Sequence, residues 1–236
     1  MANPMIMDTL TDRLQAVKSR IAAACRTFGR DPRDIVLVAV SKTFAAADIR
    51  RAYAAGQRDF GENYVQEALD KMAELAGLEL AWHYIGPIQS NKTRAIAARF
   101  DWVHSIDRLK VAERLSAQRP ADRAPLPVCI QVNVSGEASK SGVAPAALPG
   151  LAHALARLPR LQLRGLMAIP EPTPDAALTR RRFERLRELQ EALVGDGLDL
   201  DTLSMGMSDD LEAAIAAGAT MVRVGTAIFG PRRTAK

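Results

Sequence analysis

Apolar residues recur at two different periods along this 236-residue chain, and the change between them marks the first element boundary. From 8 to 28, Leu10, Leu14, Val17, Ile21, Cys25 and Phe28 follow one another at spacings of 4, 3, 4, 4 and 3, the stripe of an amphipathic helix. After a turn at Gly29 to Pro32 the pattern becomes the continuous run IVLVAV at 35–40. Such a β-branched run suits a strand covered on both faces in a parallel sheet. Similar runs return at 58–61, 80–85, 102–106, 128–134, 161–169, 202–205 and 220–224, eight in all. Between them lie helical stretches such as AAADIRRAYAAG, RLKVAERLSAQ and ALPGLAHALARL.

Strand and helix therefore alternate, which makes the chain an α/β protein with a parallel sheet. The count of eight, and the absence of a GxGxxG after the first strand, favour a closed (β/α)8 TIM barrel over a doubly wound open sheet. No linker or low-complexity tract divides the chain, so a single domain over 1–236 is expected, with an extra N-terminal helix at 8–28 and the barrel at 34–231.

Composition narrows the class further. With 48% hydrophobic and 25% charged residues, the chain is an ordinary globular protein, not a disordered or collagenous one. Cys25 and Cys129 are far apart and form no CxxC, which points to a reducing compartment and two core thiols. Asp8 and Asp12 interrupt the region where a signal peptide would stay apolar, and no run approaches the ~18 residues that cross a bilayer. A cytoplasmic, membrane-free protein is expected. The net charge of +5 suits an anionic ligand or nucleic acid. However, the densest basic run, TRRRFERLRELQ at 179–190, is interleaved with Glu184 and Glu188 and shares its helix with the packing stripe Phe183, Leu186 and Leu193. That pattern is a solvated helix face rather than a nucleic-acid surface. The three histidines, His83, His104 and His153, lack ligand spacing, so no metal site is expected.

In such a barrel, chemistry gathers where the strands end in their βα loops. The first strand delivers Lys42 to that rim, either as a snorkelling surface lysine or as an amine kept neutral by burial and able to form a Schiff base with an aldehyde. Asn63, Ser90, Asn91 and Asn133 stand at other strand ends, as ligand-orienting groups or as helix caps. His83, between Trp82 and Tyr84, reads more readily as a satisfied core histidine than as a base. The last two units end in LSMGMS and VRVGTAIFG, where glycine turns let backbone N–H groups approach a phosphate. Ser208, Gly225 and Thr226 are the natural contacts, and Asp209 and Asp210 should point away from them. An aldehyde-reactive amine together with a phosphate cradle matches pyridoxal 5'-phosphate. Arg223 would face the pyridine nitrogen without accepting its proton, leaving the ring a weak electron sink.

The blocks VAVSKTF, GENYVQE, HYIGPIQSNK, QVNVSGEASKSG, LRGLMAIP, LSMGMSDDLEAAIAAG and MVRVGTAIFG resemble, in order and spacing over 35–231, the pyridoxal phosphate homeostasis protein family. Ile88 stands where that family commonly has leucine. The resemblance implies a fold-type III barrel like the N-terminal domain of alanine racemase, with Lys42 as the internal aldimine. It places Ser208, Gly225 and Thr226 on the phosphate, Arg223 on the pyridine nitrogen, and Asn63, His83, Met167 and Ser204 along the ring and lysine. Lys140, in SGEASKSG, competes as a second attachment site. The implied role is to bind and buffer the cofactor and affect amino-acid and keto-acid balance, with no settled catalytic activity; a monomer that supplies apo-enzymes without efficient catalysis is expected. A racemase-like enzyme is the alternative, yet the tyrosines, Tyr53, Tyr64 and Tyr84, all fall early and offer no evident second base.

Overall fold

The computed structural model describes residues 9–136 and 141–231. Eight strands close a parallel barrel in chain order: β1 (Val36–Val40), β2 (Asp59–Glu62), β3 (Ala81–Tyr84), β4 (Trp102–Ile106), β5 (Leu126–Gln131), β6 (Leu161–Met167), β7 (Thr202–Ser204) and β8 (Met221–Val224). Closure comes from β1 against β8, with Val36 opposite Met221 and Ala39 opposite Val224. The helices are α1 (Thr9–Thr27), α2 (Ala46–Ala54), α3 (Val65–Glu74), α4 (Thr93–Arg99), α5 (Leu109–Gln118), α6 (Leu148–Ala156), α7 (Ala176–Gly195), α8 (Leu211–Ala216) and α9 (Thr226–Phe229). The expected barrel and its leading helix are both present.

Alternation along each strand divides the interior in two. Leu37, Ala39, Phe60, Trp82, Tyr84, Leu203, Val222 and Val224 belong to the apolar shell shared with the helices. The intervening positions, among them Val38, Val40, Gly61, His83, Cys129, Ser204, Met221 and Arg223, face the barrel axis. This axis is not uniformly apolar: His83, His104, Ser204 and Arg223 are all buried in its middle.

The strand that stops furthest short of its apolar run is β5. Val132 is 2% exposed, but the pairing changes beyond Gln131. Val143 N–H donates to Gln131 O at 2.8 Å and Asn133 N–H to Val143 O at 2.9 Å. A returning loop takes over the ladder, so burial continues where the strand does not. On α7, Arg180, Arg185 and Arg187 pair with Glu184, Glu188 and Glu191, while Phe183, Leu186 and Leu193 are buried. The basic run is thus a charge-paired helix face. Among the described residues no helix is long and apolar enough to cross a membrane, and no cluster of three or more potential ligands could hold a metal.

Candidate functional site

The C-terminal mouth of the barrel collects most of the expected residues. Position 42 continues the inward register of Val36, Val38 and Val40, and Lys42 is half-buried just past β1. Its neighbours are held from outside. Ser41 Oγ donates to Glu62 Oε1 at 2.7 Å, and buried Lys71 donates to Ser41 O at 2.8 Å, Glu62 Oε1 at 2.7 Å and Glu67 Oε1 at 2.6 Å. Glu67 in turn accepts the Thr43 N–H at 2.5 Å. Thr43 is left-handed at φ 69°, a strained conformation for a β-branched residue, located beside the lysine. Burial pushes the Glu62 carboxyl up against the opposing pull of Lys71, and its Oε2 is buried without a partner.

Asn63 leaves the end of β2 toward a cavity of about 240 Å³ that it shares with Ile85, Pro87, Gln131, Ser141 and Ile169. Its Oδ1 is buried and has no hydrogen-bond partner, as expected of a group reserved for a ligand donor. Gly86 packs directly behind it, and a Cβ at that position would lie 2.4 Å from Asn63 O.

Across the mouth, the loops after β7 and β8 meet: Ala227 N–H reaches Ser208 Oγ at 3.4 Å, beside Gly225 and Thr226. Gly206 turns the first loop at φ 93°, where a Cβ would lie 2.5 Å from the Ala214 Cβ. Asp210 folds back to accept the Met207 N–H at 2.5 Å, and Asp209 is exposed to solvent. Both acids therefore have other occupations than the Ser208 cradle. Arg20, from α1, donates to Ser208 O at 2.9 Å and pairs with Glu212.

Arg223 lies below this loop. Its Nη1 donates to Ser204 Oγ at 2.7 Å and its Nη2 to Ala168 O at 2.9 Å, next to Met167. These use two of five N–H donors. Among the described residues no carboxylate reaches ion-pair distance, and burial brings the guanidinium down to about 10. His83 does not open onto the mouth through its nitrogens, because both are engaged inside the barrel, with Asp59 and His104. Ser90 and Asn133 serve turns: Ser90 O accepts from Thr93, and Asn133 Oδ1 accepts the Gly136 N–H. Cys25 and Cys129 are free and buried, and burial raises the Cys129 thiol to about 12. Lys140 lies outside the described residues.

Sequence reasoning missed the supporting groups: Arg20, the Glu62, Lys71 and Glu67 cluster, and His104. Only Lys71 carried a usable signal, as an apolar-face position four residues after Glu67 on α3.

The fold and the mouth define a class. The chain matches the family model "Alanine racemase, N-terminal domain" over residues 13–233. Alanine racemase from Corynebacterium glutamicum shares the fold at TM-score 0.75 and 19% identity, over 95% of this chain and 61% of that one. Within that class the chain belongs to the pyridoxal phosphate homeostasis protein family. It is 64% identical to the Pseudomonas aeruginosa member, over 96% of this chain and 97% of the relative. The Escherichia coli K12 member is 54% identical over 98% and 100%. PipY of Synechococcus elongatus, solved with PLP bound, superposes at TM-score 0.84 with 41% identity, over 94% of this chain and 100% of that one.

Proposed function

We propose that this chain holds pyridoxal 5'-phosphate in the barrel mouth, bonded through Lys42, and that its role is intracellular homeostasis and supply of the cofactor, without efficient turnover of amino acids. The observation that carries the reading is the buried, unpartnered Asn63 Oδ1 in a mouth that also gathers inward-facing position 42, buried Arg223 and the Ser208, Gly225 and Thr226 loops. PipY, an overall match with PLP bound, supports the same ligand.

In this reading the Lys42 amine would hold the cofactor through its aldehyde carbon. Ser208, Gly225 and Thr226 take the phosphate, Met167 flanks the ring, and Ser204 acts through Arg223. When bound, the cofactor supplies an electron sink. Arg223 weakens that sink, since a guanidinium donates to the ring nitrogen and cannot accept its proton. A second base is also wanting among the tyrosines. Tyr84 Oη donates to Pro87 O at 2.9 Å, its ring packs outward on Phe100, and burial raises it to about 12. Tyr53 lies under Arg58, and Tyr64 is 56% exposed at the start of α3. Borohydride reduction of protein mixed with the cofactor, followed by peptide mapping, should place the phosphopyridoxyl mass on the Lys42 peptide. A protein that stays colourless with added cofactor, or a label only on Lys92 or Lys140, overturns the assignment.

A further inference from the structure

A chain of buried polar groups crosses the barrel beneath the mouth. Asp59 Oδ1 lies 3.0 Å from His83 Nε2, and His83 Nδ1 lies 2.9 Å from His104 Nε2. His104 Nδ1 is 2.7 Å from Ser204 Oγ, and that oxygen is 2.7 Å from Arg223 Nη1. His83, His104, Ser204 and Arg223 are at most 3% exposed. Trp102 stacks parallel to His83, with ring centres 5.9 Å apart. Asp59, at the start of β2, keeps a side chain 32% exposed beside a cavity of about 410 Å³ at the opposite end of the barrel.

The two ends fix the direction of every link. Arginine can only donate and a carboxylate can only accept. Ser204 therefore accepts from Arg223 and gives its own proton to His104 Nδ1. His104 then carries its proton on Nε2 and donates to His83 Nδ1. His83 carries its proton on Nε2 and donates to Asp59. Each of these protons has an acceptor, and both imidazoles are neutral. Reversing the middle links would leave the Ser204 hydroxyl proton with no acceptor among the described groups, in a closed interior where unmet donors are costly. Burial, with His83 and Arg223 alongside, holds His104 well below the usual imidazole range, consistent with a neutral ring.

Resting on the pyridoxal phosphate reading above, we propose that Asp59, His83, His104 and Ser204 are positioning residues, a one-way hydrogen-bond chain that fixes Arg223 beneath the mouth as a donor to the ring nitrogen of a pyridine ligand. The chain supports a cation that has no carboxylate at ion-pair distance among the described residues: its aligned dipoles present their negative ends to Arg223, with Asp59 at the far end, while Asp210 acts on the guanidinium only from beyond contact. An adjacent carboxylate would also have orientated Arg223, but it would have drawn hydrogen-bond strength away from the ligand. A serine hydroxyl takes one N–H and leaves others for the ring.

The test has two independent arms. In the ligand-free protein with 15N-labelled histidine, nitrogen–proton correlation spectra near neutral pH should show His83 and His104 both neutral and both protonated on Nε2. Asp59→Asn, which keeps an acceptor oxygen, should preserve that pattern. A proton on Nδ1 of His104, or a doubly protonated His83, overturns the chain. In the second arm, Ser204→Ala should weaken pyridoxal phosphate about 10-fold, as expected for a displaced charged donor. It should weaken the same ligand with its ring nitrogen replaced by carbon less than about 2-fold. Equal weakening of both ligands overturns the link to the ring nitrogen. Should the unsubstituted protein bind neither ligand, the cofactor reading fails and takes the ligand half of the proposal with it, while the imidazole spectra still decide whether the chain exists.

Discussion

At the scale of single residues, Lys71 shows how much of this mouth is built from behind. Its ammonium has three N–H groups and three acceptors, on Ser41, Glu62 and Glu67; Glu62 also accepts the Ser41 hydroxyl and Glu67 the Thr43 N–H, on either side of Lys42. Lys71→Met leaves Glu62 buried without its partner, which costs about 3 to 5 kcal/mol at neutral pH. Glu62 already has a carboxyl raised above its ordinary 4.5 by burial, and the variant raises it further. A raised acid binds its proton more tightly when folded, so the variant's stability is greatest below 4.5 and declines as pH rises through the raised value. Denaturant unfolding at pH 5 and pH 8 should therefore show a larger deficit at pH 8. A pH-independent deficit would mean that lost packing, not the stranded charge, dominates. The proposed phosphate contacts make a separate residue-scale prediction: Ser208→Ala or Thr226→Ala should weaken the phosphorylated cofactor roughly 10- to 100-fold and leave pyridoxal nearly unchanged, as measured by titration. Equal losses for both ligands place the phosphate elsewhere.

At the scale of elements, α1 does more than cover the barrel. Its apolar stripe, Leu10, Leu14, Val17, Ile21 and Cys25, is buried, and its polar side sends Arg20 to Ser208 O and to Glu212 on α8. Both partners of the ion pair are more than a third exposed, so the pair itself adds little stability. The contact with the Ser208 carbonyl matters more, because it anchors the loop proposed to take the phosphate. Arg20→Ala should change the unfolding free energy by less than about 1 kcal/mol yet weaken the phosphorylated cofactor about 3- to 10-fold. Loss of stability with unchanged affinity would show that the loop holds itself. The stripe of α1 was legible in sequence because helical periodicity is local. Arg20 was not, since its partners lie 188 and 192 residues away, and nothing in an exposed arginine announces a distant carbonyl. The same divide runs through the barrel. Strand order, Lys42, Arg223 and the glycine turns could be read from runs and their endings. His104 could not, because one histidine in WVHSI gains its role only when β3, β4 and β7 are curled together. The end of β5 lies short of its apolar run because burial outlasts the strand there, whereas the run after β6 ends in exposed Ile169.

At the scale of the whole molecule, the question is whether a barrel shared with racemases performs their chemistry. Racemisation needs a carbanion stabilised at Cα and proton donors on both of its faces. On the proposed reading, the first requirement is weakened by the buried Arg223 guanidinium, which among the described residues has no carboxylate at ion-pair distance and is held by Ser204 and Ala168 O. It can donate to the ring nitrogen but cannot give it a proton cheaply, even with its affinity lowered to about 10. The second requirement finds no tyrosine base, with Tyr84 committed to Pro87 O on the outer face and Tyr64 at the rim of α3. Cys129, raised to about 12 in the barrel interior, is no substitute as a thiolate. Each deficit alone slows Cα chemistry, and the two act on the same step. Incubating the cofactor-loaded protein with L- and D-alanine in deuterated water should therefore give Cα exchange, followed by NMR, far below that of a fold-related racemase at equal concentration. Exchange at about 1 per second or faster, abolished by Lys42→Ala, would make this chain an enzyme and not a carrier. Slow exchange that persists unchanged in Lys42→Ala would trace to cofactor free in solution and leave the carrier reading intact.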